Sequence, residues 1–348
     1  MSEADLLLKQ GIEQYHQGEV DSAMQLWQQA RQKYQELKDR GKEAATLGNL
    51  GVGYQKLGDL SAAIACYQEH YRIAVELQDP RGQAHALFNL GTVYARLESW
   101  SQAIAAQERC LVITQQMQDK TSQGKNLASL KLAYKSMGNQ QKAREYQLQL
   151  VSLARELFLE SNTDDFIALA KSLGINPIED FACSDLSNLD LHYADLGQAD
   201  LSEVNLSHAY LELANLRRAN LRQACLRYAQ MINANLSDAN LNGADLTGAD
   251  LRTNLSGVNL TDANLTEANL TSAYLFGAKL TRVNLTGANL TNADITGANL
   301  TGAVLHNTNL SRVIFTETML KNARFRENLG LSEAMRQDCL QRGAIFED

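Results

Sequence analysis

Two apolar rhythms divide the chain, and one gives way to the other near Asp180. In the first half, bulky apolar residues recur at spacings near 3.6, as in Leu47, Leu50 and Tyr54, then Ile64, Tyr67, Tyr71 and Val75, with Gly58 between the two stretches. That spacing predicts a helix, a tight turn and a second helix. The unit returns every forty residues: Gly11, Gly51 and Gly91 superpose, as do Ala23, Ala63, Ala103 and Ala143. Tyr54, Tyr94 and Tyr134 form another column, and Gly18, Gly58 and Gly138 a fourth, with Glu98 in the third copy. Four hairpins fit residues 4–158; the outer two are degenerate, with Gln14 replacing the tyrosine in the first and Lys131 the glycine in the last. Each hairpin covers its apolar face only with its neighbour, so the copies stabilise one another as a stack.

From Phe181 a bulky apolar residue returns at every fifth position through Leu186, Leu191, Leu196 and Leu201 to Leu251. A small residue stands two places before each, as at Ala194, Ala199, Ala209 and Ala214, and Asp or Asn commonly stands just before it. A period of five fits neither helix nor strand. A chain that turns a corner every five residues closes a square coil of twenty, with the bulky and small residues inward and three residues outward. The register slips once, where Leu255 follows Leu251 after four residues, and then runs unbroken to Phe325. Arg252 alone fills the place of two outward residues, so a tightened corner or local bulge is expected there.

Residues 164–174 read as a short amphipathic helix (Phe166, Ile167, Leu169, Leu173) stopped by Gly174, suited to cap one end of the shaft. Ser332 to Arg342 reads as a second capping helix, with Ser332 as N-cap and Gly343 as stop. The expected domains are therefore a helical array over 1–160, a linker and capping helix over 161–180, a coil of five-residue repeats over 181–327 and a C-terminal cap over 328–348.

The pattern Leu50, Gly51, Tyr54, Gly58, Ala63, Tyr67 resembles the tetratricopeptide repeat in a longer, forty-residue variety. The A(D/N)Lxx pattern over residues 181–325 resembles the pentapeptide-repeat family, which implies a right-handed quadrilateral β-helix. The expected fold is thus α plus β in two solenoids, a helical superhelix followed by that β-helix with a C-terminal capping helix. The tail from Arg342 to Phe346 resembles the ending of many cyanobacterial pentapeptide-repeat proteins, which points to a cyanobacterial source.

Composition sharpens this picture. At 45% apolar with two prolines, the chain is neither disordered nor collagenous. Aromatic residues make up only 6%, and 13 of the 22 fall in residues 1–179, as expected if a narrow shaft in the second half is filled by stacked leucine. There is no basic, then apolar, N-terminal segment and no apolar run of membrane-spanning length, so a cytoplasmic protein without a membrane partner is expected. Five scattered cysteines form no CxxC pair, and six dispersed histidines form no ligand cluster. No enzyme, cofactor or metal is expected. The aspartates preceding each leucine suit hydrogen bonding to the corner backbone. Asp180, Asp185, Asp190, Asp195 and Asp200 nevertheless band the first coil with like charge, and Arg217, Arg218, Arg222 and Arg227 form a basic band farther along.

The tetratricopeptide resemblance implies a concave groove for a peptide. It places Asn49 and Asn89 where the family often bonds a ligand backbone, with Lys56, Arg96, Lys125 and Lys135 facing the same groove and favouring an acidic peptide. The alternative is that these are solvated charges on exposed helix faces. Face counting sets Tyr193, Tyr210, Leu213 and Ile232 on one side of the first coils, an apolar patch that either packs within the chain or, with the arginine band, meets another protein. The expected function is a non-enzymatic adaptor with a peptide in the groove and a second partner on the β-helix, regulatory in a cyanobacterium, with a monomer favoured. The alternative is a DNA-mimicking regulator of a topoisomerase such as gyrase. Residues 181–327 carry 14 acidic and 11 basic residues, a weak field for mimicking DNA, and no nucleic-acid partner is expected.

Overall fold

The computed structural model describes residues 2–161 and 163–347. It divides into two compact units, Met1–Leu150 and Val151–Asp348. The break falls inside a helix.

The first unit is four helical hairpins in chain order: α1 (Glu3–His16) with α2 (Val20–Glu36), α3 (Arg40–Leu57) with α4 (Leu60–Glu76), α5 (Pro80–Arg96) with α6 (Trp100–Gln116), and α7 (Lys120–Ser136) with α8 (Gln140–Glu160). The glycine column lets paired helices touch. A Cβ at Gly11 would lie 2.5 Å from the Trp27 ring, one at Gly51 2.4 Å from Tyr67, and one at Gly91 2.5 Å from Gln107. The residues that fill these notches, Trp27, Tyr67 and Gln107, are themselves forty apart and buried. Between hairpins, Asp39, Asp79 and Asp119 cap α3, α5 and α7 by accepting the amides of Lys42, Arg81 and Ser122. The turns just before them carry Lys38, Gln78 and Gln118 in the left-handed region, and Glu98 adopts it where the sister copies have Gly18, Gly58 and Gly138. Glycine is therefore replaceable at these exposed turns.

The second unit begins with the end of α8 and with α9 (Phe166–Ser172), whose N-cap Asp165 accepts the Ala168 amide and which stops before Gly174 at φ 82°. Phe166 is buried between Phe158 and Phe181, with ring centroids 5.5 and 5.8 Å away, so this helix packs on the first bulky residue of the coil. From Phe181 on, the chain returns on itself every twenty residues. Single-residue parallel bridges run as four ladders, for example Asp195 to Asn215 to Asn235 and Asp200 to Asn220 to Asn240. Among the described residues regular strand is confined to β1 (Val304–His306), β2 (Arg324–Arg326) and β3 (Ile345–Phe346), which pair in parallel in that order. The short strands follow from the period, because a corner every fifth residue leaves no straight run longer than three.

Each corner is a four-residue turn. Away from the slip at Arg252, the amide of the small residue typically donates to the carbonyl of the preceding leucine, as from Ala199 to Leu196 at 3.1 Å, and the second residue after the leucine is left-handed. The leucine column is sealed: Leu201, Leu221, Leu241 and Leu260 are fully buried. At about 1.5–3 kcal/mol per buried side chain, this column is the main cohesive term of the unit.

The slip at Arg252 is a tightened corner. Positive φ occurs at Gly248 and next at Gly257, so the deleted position is the left-handed one. Thr253 takes the inward place of alanine, and its hydroxyl donates to the Ala234 carbonyl. At the far end α10 (Glu333–Gln341) starts at Ser332, whose hydroxyl accepts the Met335 amide. Arg342 donates to the Phe315 carbonyl at 2.7 Å, and the rings of Phe325 and Phe346 stack 5.0 Å apart, so helix and β3 together close the last coil.

Candidate functional site

In the first unit, the odd-numbered helices line two clefts that share His85 and Asn89. The larger, about 480 Å³, lies among α1, α3, α4 and α5 and is walled by Leu8, Ile12, Val52 and Leu77, with Asn49 and His70 also on its surface. Gly41, Gly48 and Gly82 also line it. The smaller, about 130 Å³, lies among α5, α6 and α7 and is lined by Cys110, Ser122, Lys125 and Asn126. Asn49 thus lines the larger cleft, Lys125 the smaller, and Asn89 both. Arg96 lines a separate cleft with Trp100 and Leu132 and donates to the Gln55 carbonyl at 3.3 Å. Lys56 and Lys135 are exposed in the last turns of α3 and α7. Lys56, like Arg96, stands seven residues beyond its asparagine, about 10 Å along the helix.

Two cleft residues escape a reading based on repeat columns. His70 stands where the other copies have Ala30, Cys110 and Leu150, all buried, and Asn126 stands where they have Thr46 and Ala86. Both are themselves more than nine-tenths buried. Burial, with a smaller contribution from the nearby His85 charge, pushes His70 down to about 4, so its ring is neutral. The available signal was the departure itself: a polar residue in a column that is otherwise apolar or, like Thr46, bonds its own helix.

On the coils, Tyr193, Tyr210, Leu213 and Ile232 converge at one corner. The Tyr193 amide donates to Glu212 and the Leu213 amide to Ile232, so these turns lie directly above one another. Tyr193 is 73% exposed, Leu213 48% and Tyr210 42%. Beside them His192 is held between Asp190 and Glu212 and stacks on Tyr210, and both carboxylates favour its protonated form. The four arginines do not form one patch. Arg217 and Arg218 share a corner, while Arg222 and Arg227 occupy the next two, as the amides of Gln198, Glu203 and His208 reach successive arginine carbonyls. Arg217 and Arg218 approach Asp238 at 3.9 and 3.8 Å, and Arg227 approaches Asp245 at 3.8 Å.

The acidic band is also quieter than a stack of like charges. Asp180 is turned inward and accepts the Asn176 amide at 2.7 Å. Asp185, Asp195 and Asp200 each accept from an asparagine of the next coil (Asn205, Asn215 and Asn220) and from a corner amide two residues on. Among the described residues no group of His, Cys, Asp and Glu is arranged to hold a metal ion, and no helix is long and apolar enough to cross a membrane.

Tetratricopeptide-repeat family models match residues 3–76, 86–121 and 132–157, and the pentapeptide-repeat model matches residues 180–218, 214–252, 253–292 and 288–326. No curated protein matches the chain. Among solved structures it is similar to HetL, a pentapeptide repeat protein involved in heterocyst differentiation regulation from the cyanobacterium Nostoc, at 34% identity over 43% of this chain and 71% of HetL, with a TM-score of 0.30. It is also similar to the plasmid-mediated fluoroquinolone resistance protein QnrB1, at 15% identity over 49% of this chain and 86% of that one, TM-score 0.40. BtubC from P. vanneervenii is a third, at 20% identity over 47% of this chain and 66% of that one, TM-score 0.43. The chain therefore carries tetratricopeptide repeats in its N-terminal part and belongs, through its C-terminal part, to the pentapeptide-repeat proteins.

Proposed function

We propose that the chain is a non-enzymatic adaptor. An acidic peptide binds along the odd-numbered helices of residues 1–160, and a second protein binds the first coils of residues 181–327, in a regulatory role in the cytoplasm of a cyanobacterium. The observation that carries this reading is that Asn89 lines two neighbouring clefts, one with Asn49 and the other with Lys125. Two carboxamides from successive repeats with a cation beside them suit a peptide backbone with an acidic side chain. The exposed Tyr193, Tyr210 and Leu213 supply the aromatic and apolar surface typical of an interface centre.

In this reading the coils are a right-handed quadrilateral β-helix, capped by residues 161–180 at one end and 328–348 at the other. Four parallel ladders with a twenty-residue return support it. The gyrase-directed alternative has less support, because the net charge of residues 181–327 is only −3. Titration of acidic and charge-reversed peptides against the full chain, with and without the Asn49→Ala and Asn89→Ala pair, tests the adaptor reading. Loss of acidic-peptide binding in the variant is the expected result, and equal binding of both peptide classes counts against it.

A further inference from the structure

The first coil has an uncovered edge. On the face that runs from Asp190 to Asp195, the amides of Leu191, Tyr193 and Leu196 donate to the carbonyls of Tyr210, Glu212 and Asn215 in the second coil, and the amides of Tyr210 and Asn215 donate back to Leu189 and Ala194. The matching groups on the opposite edge of the first coil are the amides of Asp190 and Asp195 and the carbonyls of Asp190, His192 and Asp195. Among the described residues none of these five has a hydrogen-bond partner. Neighbouring corners are covered, one by the Ile178 carbonyl, which accepts the Asp200 amide at 2.7 Å, and another by Arg155, which donates to the Ser187 carbonyl at 3.2 Å.

That edge is one wall of a cleft of about 350 Å³, and α9 with the two residues before it is the other. Charge in the lining is one-sided. Asp164, Asp165, Asp190 and Asp195 are accompanied only by Lys171 and by His192, and His192 is already held between Asp190 and Glu212. Tyr193 lines the same cleft and is 73% exposed, so its ring face is available to a cation.

We propose that this edge takes a basic, extended segment of a partner protein as an added rung of the coil. The segment lies parallel to Asp190–Asp195, accepts from the amides of Asp190 and Asp195 and donates to the carbonyls of the same stretch, as an unpaired strand edge invites. Its Lys or Arg side chains meet the carboxylates of the cleft and the Tyr193 ring. This rests on the reading that the first coils hold a second protein, and it names that partner's chemistry. Register comes from the backbone, because in a strand paired on one side only alternate residues turn their amide and carbonyl to the partner.

The test is fluorescence anisotropy with the full chain and labelled decapeptides of alternating threonine and lysine, with glutamine or glutamate replacing lysine as controls. The lysine peptide is expected to bind about tenfold or more tighter than the glutamine peptide, and the glutamate peptide not to bind. N-methylation of alternate peptide amides separates an added rung from a charged patch: methyl groups on one set should cost about tenfold or more and those on the other set little. Lys171→Glu should tighten the lysine peptide. Asp195→Pro removes an amide that bonds nothing in the protein and should abolish binding, whereas Asp195→Asn keeps that amide and should weaken binding only in part. Lysine peptides that bind alike whatever their methylation would overturn the added rung and leave the second-partner reading standing, since the exposed Tyr193 and Leu213 are tested separately by their alanine variants. Failure of every peptide to bind would overturn it too. Self-association of the chain that Asp195→Pro abolishes would put a second copy on the edge and overturn the basic partner.

Discussion

Asn235 bridges in parallel to Asn254, nineteen residues on, whereas Asn215 bridges to Asn235 at twenty. Every ladder step that spans Arg252 is short by the same one residue, and the ladders on either side keep their partners. The deletion is absorbed at a single corner because the missing residue is the left-handed one, which points outward and contributes nothing to the leucine column. A glycine inserted between Arg252 and Thr253 should therefore restore a five-residue corner and change unfolding free energy by no more than about 1 kcal/mol. A glycine inserted between Asn240 and Leu241 displaces the inward side chains and should cost several times more. Urea unfolding of the two insertions separates these outcomes.

The column itself makes a sharper demand. Leu241 is fully buried between Leu221 and Leu260. Leu241→Asp places an unpaired carboxylate in the shaft and is expected to remove at least about 3 kcal/mol of stability, whereas Leu241→Met should cost under about 1.5. Denaturation monitored by circular dichroism checks the difference. Equal effects would mean that the shaft is not sealed.

Covering the last strand matters in a different way. The Ile345 amide donates to the Ala323 carbonyl at 2.7 Å, and Glu347 binds Arg324 and His306 across the same edge. Ile345→Pro removes that donor and lifts β3, exposing the edge of β2 to other chains. Light scattering after size exclusion should show self-association in this variant. A variant with the same oligomeric state as the parent would show that α10 alone is a sufficient cover.

His70 sets an acid limit on the helical unit. Its value is lowered from the ordinary 6.5 to about 4 by burial and by His85, so the unfolded chain binds the proton first. Its contribution is complete above pH 6.5 and is lost as the pH falls through about 4. His70→Cys, which copies the residue of the next repeat, should narrow the gap between urea midpoints measured at pH 7 and pH 4.5. An unchanged gap would place the acid sensitivity elsewhere.

Much of this architecture is legible in the sequence, because each repeat column is a physical necessity. Gly11, Gly51 and Gly91 recur because a large side chain enters at each, and Leu201 through Leu241 recur because their column is fully buried and apolar. Asp195 and Asn215 were legible as corner acceptors, and their bonds across the coil also remove the repulsion that counting charges implied. The surfaces proposed for binding were legible less completely. Asn49 and Asn89 could be placed by register, but Arg96 and Lys125, both exposed cations on odd-numbered helices, border different clefts, a distinction set by packing between helices. His70 and Asn126 were hidden because a repeat alignment weights the shared residues, and these two depart from their columns.

The adaptor account stands on two surfaces that act independently. Quantitative affinity capture from a cyanobacterial lysate, comparing the parent chain with an Asn49→Ala, Asn89→Ala variant and a Tyr193→Ala, Leu213→Ala variant, tests this most directly. The expected result is that each variant loses its own set of partners and keeps the other's. Retention of every partner by both variants, or loss of the same partners from both, would contradict it.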